Sequence, residues 1–337
     1  MTPPAAAPAL AATSAQSDRF VHERLPDADQ WPQLRYDAPE LQIAAQANLV
    51  AVLLARASQQ GWSARPFLRS EDLTLSYAEA GERIRRIAQV LTEDHGLMPG
   101  NRVLLRGGNS INMALAWLGV VHAGLMTVTT MPLLRAKELA EVILKAEPAL
   151  ALCDGKLLAE LQMAQAQQPQ LKTLIAFNQP DNPAGLEALA AAKNGMTAAC
   201  PTSADDIAIL AFTSGTTGSP KAAVHTHRDV LAFCETWPRH VLRATPDDIV
   251  MGSPPLAFTF GLGGLLIFPM WAGASVMFPG VPYTPQAMVQ LMADVGATIC
   301  YTAPTFYRQM AVFARDTPLP RLRVCVSAGE GLPDATR

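Results

Sequence analysis

The sequence predicts an α/β fold with parallel-rich sheets flanked by helices, and three observations lead to that prediction. Half of the 337 residues are hydrophobic and only 16% are charged, which provides enough apolar material for a large core. Residues 103–130 alternate between strand, helix and strand patterns, and the following chain repeats this alternation. A chain of this length is expected to form two or more subdomains.

The first hundred residues predict a tail, two helices and a short strand. Residues 1–17 are rich in Ala, Pro and Ser and lack the basic and apolar regions of a signal peptide, so we expect a disordered tail. Helical periodicity marks NLVAVLLARASQQ, and a strand followed by an amphipathic helix is predicted for LTLSYAEAGERIRRIAQVL. Ser76, with Glu79 three residues later, predicts a capping box at the start of that second helix.

A βαβ unit is predicted between residues 103 and 130. Val103–Leu105 reads as a buried strand, Gly107–Ser110 as a turn, Ile111–His122 as a helix and Met126–Thr130 as a second strand. Two strands joined by a helical crossover run parallel, so a parallel sheet is expected.

The rest of the chain extends this pattern. RAKELAEVILKAEPALALCDGKLLAELQ predicts helix, strand and helix, and LKTLIAF predicts a further strand. We place a first α/β subdomain at residues 18–200 and a second at 201–337. Pro201–Asp206 is interpreted as the seam between two sheets.

The composition argues against several classes of protein. The net charge of −3 offers no broad basic field for nucleic acid. Five dispersed cysteines without a CxxC pair indicate a reduced, cytoplasmic protein. No charged residue occurs between Asp248 and Asp294, but prolines and glycines interrupt this stretch. Buried strands and helices are therefore expected there, with a membrane span as the alternative.

The segment FTSGTTGSPKAAVHTH, residues 212–227, predicts a phosphate-binding loop. Its glycines let backbone N–H groups approach an anion, its hydroxyls can donate hydrogen bonds, and Lys221 adds a positive charge. It is not a Walker A motif, because the lysine follows a proline and AAVHT continues as a strand. A helix is predicted to begin near Thr226, with Asp229 completing a capping box. An ordinary polar turn is the alternative.

The motif TSGTTGSPK resembles the signature loop of the adenylate-forming superfamily, which contains acyl- and aryl-CoA ligases, luciferases and peptide-synthetase adenylation domains. PPLAFTFGLGG resembles the acyl-pocket segment of that family, YTAPTFYRQM its pocket wall, and VSAGEGLP its adenine-contacting strand end. Together with MPLLRAKEL and PRHVLRATPDD, these segments look most similar to benzoate- and 2-aminobenzoate-CoA ligases. The resemblance covers the chain from residue 18 to its end.

The resemblance implies the N-terminal large domain of the adenylate-forming fold, truncated before a small C-terminal domain. It implies an aryl-CoA ligase that uses ATP, Mg²⁺ and CoA. A small aromatic carboxylic acid, 2-aminobenzoate or benzoate, would attack ATP to form an acyl-adenylate and then a CoA thioester, with no nucleic acid or membrane as partner. A homodimer is compatible with this reading. The chain stops at AGEGLPDATR, before the lysine that the family uses for adenylation, so little or no turnover is expected of it.

Two alternatives to that activity remain open. One is a non-catalytic fragment that only binds ATP. The other is an acyl-CoA ligase or adenylation domain for a different carboxylic acid.

The resemblance also implies roles for individual residues. Those expected to bind the ATP phosphates are Thr213, Ser214, Gly215, Thr216, Thr217, Gly218 and Lys221. Those expected to contact the acid or the adenine are Phe258, Thr259, Phe260, Ala328, Gly329 and Glu330. Simple core packing is the alternative for the aromatic residues, and a solvated loop carboxylate is the alternative for Glu330. No catalytic residue is assigned with certainty.

The second of the two histidines near the loop is interpreted as structural. His227 matches a recurrent histidine of the family, and we expect it to form a structural hydrogen bond. His225 and His227 are not read as a metal pair, because no third ligand is in sight.

Overall fold

The structure is a computed structural model that describes residues 14–213, 220–280 and 283–334. Its strands are β1 (Pro66–Arg69), β2 (Thr74–Ser76), β3 (Arg102–Arg106), β4 (Met126–Thr130), β5 (Leu150–Asp154), β6 (Leu174–Phe177), β7 (Ile207–Thr213), β8 (Lys221–Thr226), β9 (Ile249–Gly252), β10 (Ser275–Met277), β11 (Ile299–Thr302) and β12 (Val324–Ser327). Its α-helices are α1 (Leu49–Gln59), α2 (Tyr77–Gln89), α3 (Ile111–His122), α4 (Ala136–Ala146), α5 (Leu158–Gln167), α6 (Leu186–Ala191), α7 (His227–Thr236), α8 (Thr259–Leu262), α9 (Phe268–Ala272), α10 (Pro285–Val295) and α11 (Pro304–Ala314).

Short helical turns of other types complete the described elements. Single 3₁₀ turns occur at His22–Arg24, Ala28–Gln30, Pro39–Leu41 and Gly155–Leu157. Wider π-helical turns occur at Val90–Asp94, Trp237–Leu242 and Gly263–Ile267. The last of these joins α8 to α9, so that residues 259–272 form one helical run with a wide turn in its middle.

The first sheet has the strand order β6-β5-β3-β4-β7-β8. All of its neighbouring strands are parallel except β7 and β8, which are antiparallel. Every residue of β3, β4 and β5 is buried, as expected for strands covered on both faces. The predicted βαβ unit is confirmed, because β3 and β4 pair in parallel across α3.

The second sheet has the order β12-β11-β9-β10-β1-β2 and contains strands from both ends of the chain. It is parallel except for β2, which pairs antiparallel with β1. One cluster of buried apolar side chains takes members from both sheets, including Leu105 in β3 and Ile299 in β11. The two sheets therefore share a core, and the prediction of a mainly parallel α/β fold is confirmed.

The strand pairing corrects the seam predicted at Pro201–Asp206. β7 and β8 follow that segment yet belong to the first sheet, whereas β1 and β2 precede it yet belong to the second. The segment is also no surface linker. Thr202 and Ser203 are buried, and the Thr202 hydroxyl donates to the Ala47 carbonyl at 2.9 Å. The division of the chain into subdomains at residues 18–200 and 201–337 stays a prediction.

The end of the predicted tail is ordered against the first sheet. The Ser14 hydroxyl and the Ala15 N–H donate to the buried Asp206 carboxylate at 2.5 and 2.9 Å. The buried side chain of Gln16 donates to the Ile207 carbonyl. Residues 14–17 are thus not part of a disordered tail, because these polar contacts tie them to the start of β7. Residues 1–13 lie outside the described residues.

The predicted helix caps are present. The Ser76 hydroxyl accepts from the Glu79 N–H while the Glu79 carboxylate accepts from the Ser76 N–H, which completes the capping box of α2. Thr226 and Asp229 form the same reciprocal pair at the start of α7. Each box satisfies backbone N–H groups that the first turn of a helix would otherwise leave unpaired.

The uncharged stretch between Asp248 and Asp294 folds into short elements, namely β9, α8, α9, β10 and most of α10. In the parts of the chain that are described, no helix has the length and hydrophobicity needed to cross a bilayer.

A buried carboxylate stabilises the amino-terminal edge of the second sheet. Asp248, just before β9, pairs with Arg323, just before β12, and accepts a hydrogen bond from the Thr298 hydroxyl at 2.7 Å. Burial would raise the pKa of the Asp248 carboxyl, yet the Arg323 guanidinium and the hydrogen bonds hold it below its ordinary value. The ionised form is therefore the one that the folded state favours.

We predict that Asp248→Asn lowers the free energy of unfolding at pH 7 by about 2 kcal/mol, because it removes the charged acceptor to which Arg323 and the Thr298 hydroxyl donate. The pKa of Asp248 is lowered on folding, so its contribution is present above pH 3.8, the ordinary value, and is lost as pH falls through the lowered pKa. Urea unfolding of the variant and of Asp247→Asn measures the effect. Asp247 is 85% exposed beside Arg65 and should matter little. Equal losses in the two variants would contradict the prediction.

Candidate functional site

The β7–β8 hairpin carries the residues predicted to bind phosphate. Thr213 at the end of β7 pairs with Lys221 at the start of β8, and both residues are exposed. The residues between them that were assigned the same role lie outside the described residues: Ser214, Gly215, Thr216, Thr217 and Gly218. The strand register therefore holds a hydroxyl and an ammonium group together at the mouth of the hairpin. Both groups can donate to an anion there.

Segment 254–260 follows β9 and leads into α8. Phe258 is the N-cap residue of α8 and is 44% exposed, and Thr259 beside it is also exposed. The ring of Phe260 lies 5.6 Å from the ring of Tyr301 in β11, centroid to centroid, with the planes tilted by 59°. The segment thus presents one aromatic ring and one hydroxyl outward, while a second ring packs on the sheet.

A close backbone approach at Gly261 shapes this segment. A Cβ atom at that position would lie 2.1 Å from the Pro255 carbonyl oxygen, so a larger residue could not be accommodated without a backbone shift. The Phe258 N–H donates to the same carbonyl at 3.0 Å, and the Leu262 N–H donates to the Phe258 carbonyl at 2.7 Å. The chain therefore folds tightly back on itself before α8.

Two residues that the sequence analysis did not assign hold segment 254–260 against the first sheet. Asn109, in the turn between β3 and α3, donates from Nδ2 to the Pro254 carbonyl at 2.9 Å and accepts from the Leu256 N–H at 2.8 Å. Thr129, near the end of β4, donates to the Ala257 carbonyl at 2.9 Å. The residues joined by these hydrogen bonds are about 130 to 150 positions apart along the chain, so a local sequence pattern cannot predict the bonds. The one available signal is that a polar residue stands at or just after the end of a predicted strand.

Segment 328–330 follows β12. Gly329 has φ +93°, a left-handed conformation that favours glycine. The Glu330 carboxylate accepts from the Thr305 N–H at 2.8 Å and from the Thr305 hydroxyl at 2.5 Å, at the start of α11. These two bonds lower the pKa of Glu330 below its ordinary value. The carboxylate is thus a cap on a neighbouring helix and fixes where the end of β12 lies relative to α11.

The predicted segments gather where the carboxyl edges of the two sheets face each other. β9, β11 and β12 are parallel, so segments 254–260 and 328–330 leave the second sheet at the same edge. In the first sheet, β4 pairs with β7, and the end of β4 contacts segment 254–260 through Thr129. The pairing of β4 with β7 and the Thr129 bond connect the hairpin to this segment. Ligands of open α/β sheets bind at such carboxyl edges.

The histidine at the start of α7 has a structural role. His227 is fully buried, and its Nδ1 accepts from the Leu49 N–H at 3.1 Å. Burial lowers its pKa to about 3, so the ring is neutral at physiological pH. The expected structural hydrogen bond of His227 is therefore present. Within residues 14–213, 220–280 and 283–334, no group of three or more His, Cys, Asp or Glu side chains could hold a metal ion.

A cavity of about 420 Å³ lies elsewhere, between α2, α3 and α6. Its lining includes Glu82, Arg86, Asn112 and Glu187, together with apolar side chains such as Leu115. None of its lining residues belongs to the hairpin or to the two segments, so this cavity is not part of the site assembled at the carboxyl edges.

Comparison with known proteins finds relatives along most of the chain. The family described as AMP-binding enzyme matches residues 55–337. A p-hydroxybenzoic acid–AMP ligase of Mycobacterium tuberculosis is 32% identical over 285 residues, which cover 85% of this chain and 38% of the relative. A benzoate–CoA ligase of Thauera aromatica is 28% identical over 299 residues, which cover 88% of this chain and 56% of the relative.

Solved structures show the same relationship. An anthranilate CoA ligase in complex with anthranoyl-AMP has a TM-score of 0.82 and 25% identity, over 89% of this chain and 58% of its own. A benzoate CoA ligase from Burkholderia xenovorans has a TM-score of 0.76 and 27% identity, over 86% of this chain and 57% of its own. The chain spans about half the length of most of the relatives it matches here.

We predict that Thr305→Val raises the pKa of Glu330 toward 4.5, its ordinary value, because one of the two bonds to the carboxylate is lost. A ¹³C NMR titration of glutamate-labelled protein measures this pKa. Glu79 serves as an internal control, because its lowered pKa depends on Ser76 and should not move. An unchanged Glu330 pKa would show that the carboxylate does not cap α11 in solution.

Proposed function

Because the chain belongs to the AMP-binding enzyme family, we propose that its site binds ATP together with a small aromatic carboxylic acid. We further propose that the whole protein is an acid–CoA ligase, which forms an acyl-adenylate and transfers the acyl group to CoA. The observation that supports this proposal is that segments 254–260 and 328–330 follow the carboxyl ends of parallel strands, and that segment 254–260 is bonded to β4, the neighbour of the hairpin strand β7. The relatives named for benzoate and anthranilate support the choice of acid.

The hairpin is proposed to hold the phosphates of ATP. In adenylation a carboxylate attacks a phosphate, so two anions approach each other and negative charge accumulates on the departing pyrophosphate. Donors that already point at that charge lower the barrier, because they need not reorganise during the reaction. Thr213, Lys221 and the intervening residues 214–218 supply hydroxyls, backbone N–H groups and a positive charge for this purpose.

Mg²⁺ is proposed to enter together with the phosphates of ATP. No cluster of metal-ligating side chains exists among the described residues, and Glu330 is already engaged at the start of α11. The role proposed for the chain is therefore to position the nucleotide. Mg²⁺ would supply additional neutralisation of charge on the phosphates.

The acid is proposed to lie against segment 254–260, with the adenine along Ala328–Glu330. Phe258 offers an exposed ring for stacking, and the Phe260–Tyr301 pair offers an apolar wall. The segment contains no charged residue, which suits an acid whose only charge is its reacting carboxylate. The exposed Thr259 hydroxyl could bond an ortho substituent such as the amino group of 2-aminobenzoate. These contacts favour 2-aminobenzoate or benzoate over an acid with a second charge.

A cytoplasmic location and a homodimer remain proposals for the whole protein. All five cysteines are unpaired thiols, which suits a reducing compartment.

We predict that Lys221→Met weakens binding of MgATP by about tenfold or more, because hydrogen bonds to charged groups contribute about 1.5–3 kcal/mol. Isothermal titration calorimetry measures the affinity. Lys145→Met, at an exposed position in the last turn of α4, is the matched control and should bind as the unmodified chain does. If both variants bind MgATP equally well, the hairpin does not hold the phosphates.

We predict that Thr259→Val lowers the preference for 2-aminobenzoate over benzoate, because valine keeps the shape of the side chain but cannot bond an amino group. Competition binding in the presence of MgATP measures the ratio of the two affinities. Thr259→Ser retains the hydroxyl and should retain the preference. An unchanged ratio in Thr259→Val would remove Thr259 from the account of specificity, and tighter binding of an aliphatic acid would favour a different substrate class.

A further inference from the structure

We propose that Asn109 and Thr129 are positioning residues, which set the distance and orientation between the acid and the phosphates of ATP. The proposal rests on the function proposed above, since it assigns the acid to segment 254–260. Neither residue touches the acid or the nucleotide in this proposal. Both act through the backbone that carries Phe258 and Thr259.

The Asn109 amide matches the backbone of segment 254–260 at two points. Its Nδ2 donates to the Pro254 carbonyl and its Oδ1 accepts from the Leu256 N–H, at 2.9 and 2.8 Å. The pair requires one donor and one acceptor on the same planar group, which an asparagine supplies and an aspartate does not. The amide thus mimics the hydrogen bonding of a neighbouring strand and fixes the segment as it leaves β9.

Thr129 adds a third bond two residues before Thr259. Its hydroxyl donates to the Ala257 carbonyl at 2.9 Å in a buried setting. Thr129 also lies opposite Ala211 in the pairing of β4 with β7, and β7 ends at Thr213. The paired strands β4 and β7 therefore support both segment 254–260, through Thr129, and the β7–β8 hairpin, whose first strand is β7. A shift of the segment relative to β4 would change the separation of the two substrates.

The exposed residues of the segment depend on this support. Phe258 and Thr259 face outward, so the backbone bonds at residues 254–257 set where they lie. Gly261, inside α8, packs closely against the Pro255 carbonyl, so the position of α8 depends on the same backbone. Since a misplacement of about 1 Å can cost about a hundredfold in rate, supports of this kind determine how well a site works.

Thr127 provides a matched control on the same strand. It lies two residues before Thr129 in β4, is also buried, and donates to the Ala208 carbonyl within the first sheet at 3.3 Å. Replacement of either threonine by valine removes one buried hydroxyl and its bond to a carbonyl. Only the Thr129 change removes a hydrogen bond to segment 254–260. A difference between the two variants in the properties of this segment therefore reports its positioning and not a general loss of stability.

The first test measures hydrogen exchange of the peptide covering residues 254–262 in Thr129→Val, Thr127→Val and the unmodified chain. Loss of one buried hydrogen bond should speed exchange in Thr129→Val by about fivefold, whereas Thr127→Val should leave this peptide unchanged. Thr129→Ser should restore protection, because it keeps the hydroxyl. Equal exchange in the two valine variants would overturn the proposal.

The second test measures binding of 2-aminobenzoate, through its own fluorescence, and of MgATP to the same chains. Thr129→Val should weaken 2-aminobenzoate about fivefold or more and leave MgATP affinity unchanged. Faster exchange without weaker acid binding would overturn the positioning role. If the unmodified chain binds no aromatic acid, the proposed function fails instead, while the exchange comparison still decides whether Thr129 holds the segment.

Asn109→Asp is the variant to use if Thr129→Val does not fold. The aspartate retains an acceptor for the Leu256 N–H but places a negative oxygen against the Pro254 carbonyl. Exchange of residues 254–262 should therefore be faster at pH 7 than in the unmodified chain. An exchange rate that matches the unmodified chain at pH 7 would overturn the role of Asn109.

Discussion

Parallel pairing in both sheets is the constraint on which the candidate site depends. Strands that run in the same direction end at the same edge, so the segments after β9, β11 and β12 must leave the second sheet together. In the first sheet the same rule brings the ends of β4 and β7 side by side. Residues far apart in the chain, such as Thr213 and Glu330, are thereby placed at facing carboxyl edges.

Contacts between the two sheets turn this arrangement into a single structure. The apolar core includes side chains from both sheets. β1 and β2 precede every strand of the first sheet in the chain, yet they belong to the second sheet. At the carboxyl edges, the side chains of Asn109 and Thr129 donate hydrogen bonds to backbone carbonyls of segment 254–260, which follows β9 of the second sheet. At the opposite edge, the pair of Asp248 and Arg323 joins the starts of β9 and β12. The proposed site thus depends on two kinds of contact. One is the set of local hydrogen bonds from Asn109 and Thr129, and the other is the apolar core that the two sheets share.

The sequence predicted local structure well and long-range pairing poorly. The bounds of α3 and β4 and the capping boxes at Ser76 and Thr226 follow from periodicity and side-chain chemistry within a few residues, and all are present. The prediction of a seam at Pro201–Asp206 was wrong, because sheet membership depends on which strands pair, and a short local segment does not encode that pairing. Asn109 and Thr129 were missed for the same reason. The motif residues were named through resemblance, and the structure describes Thr213 and Lys221 of the hairpin but not residues 214–219.

The most direct test of the account is a crystal structure of this chain with an unreactive sulfamoyl analogue of 2-aminobenzoyl-adenylate. We expect the aryl ring against Phe258 and Phe260, the nucleoside along Ala328–Glu330, and the sulfamoyl group near Thr213 and Lys221 of the β7–β8 hairpin. Density for the analogue in the cavity between α2, α3 and α6, with the carboxyl edges empty, would contradict it.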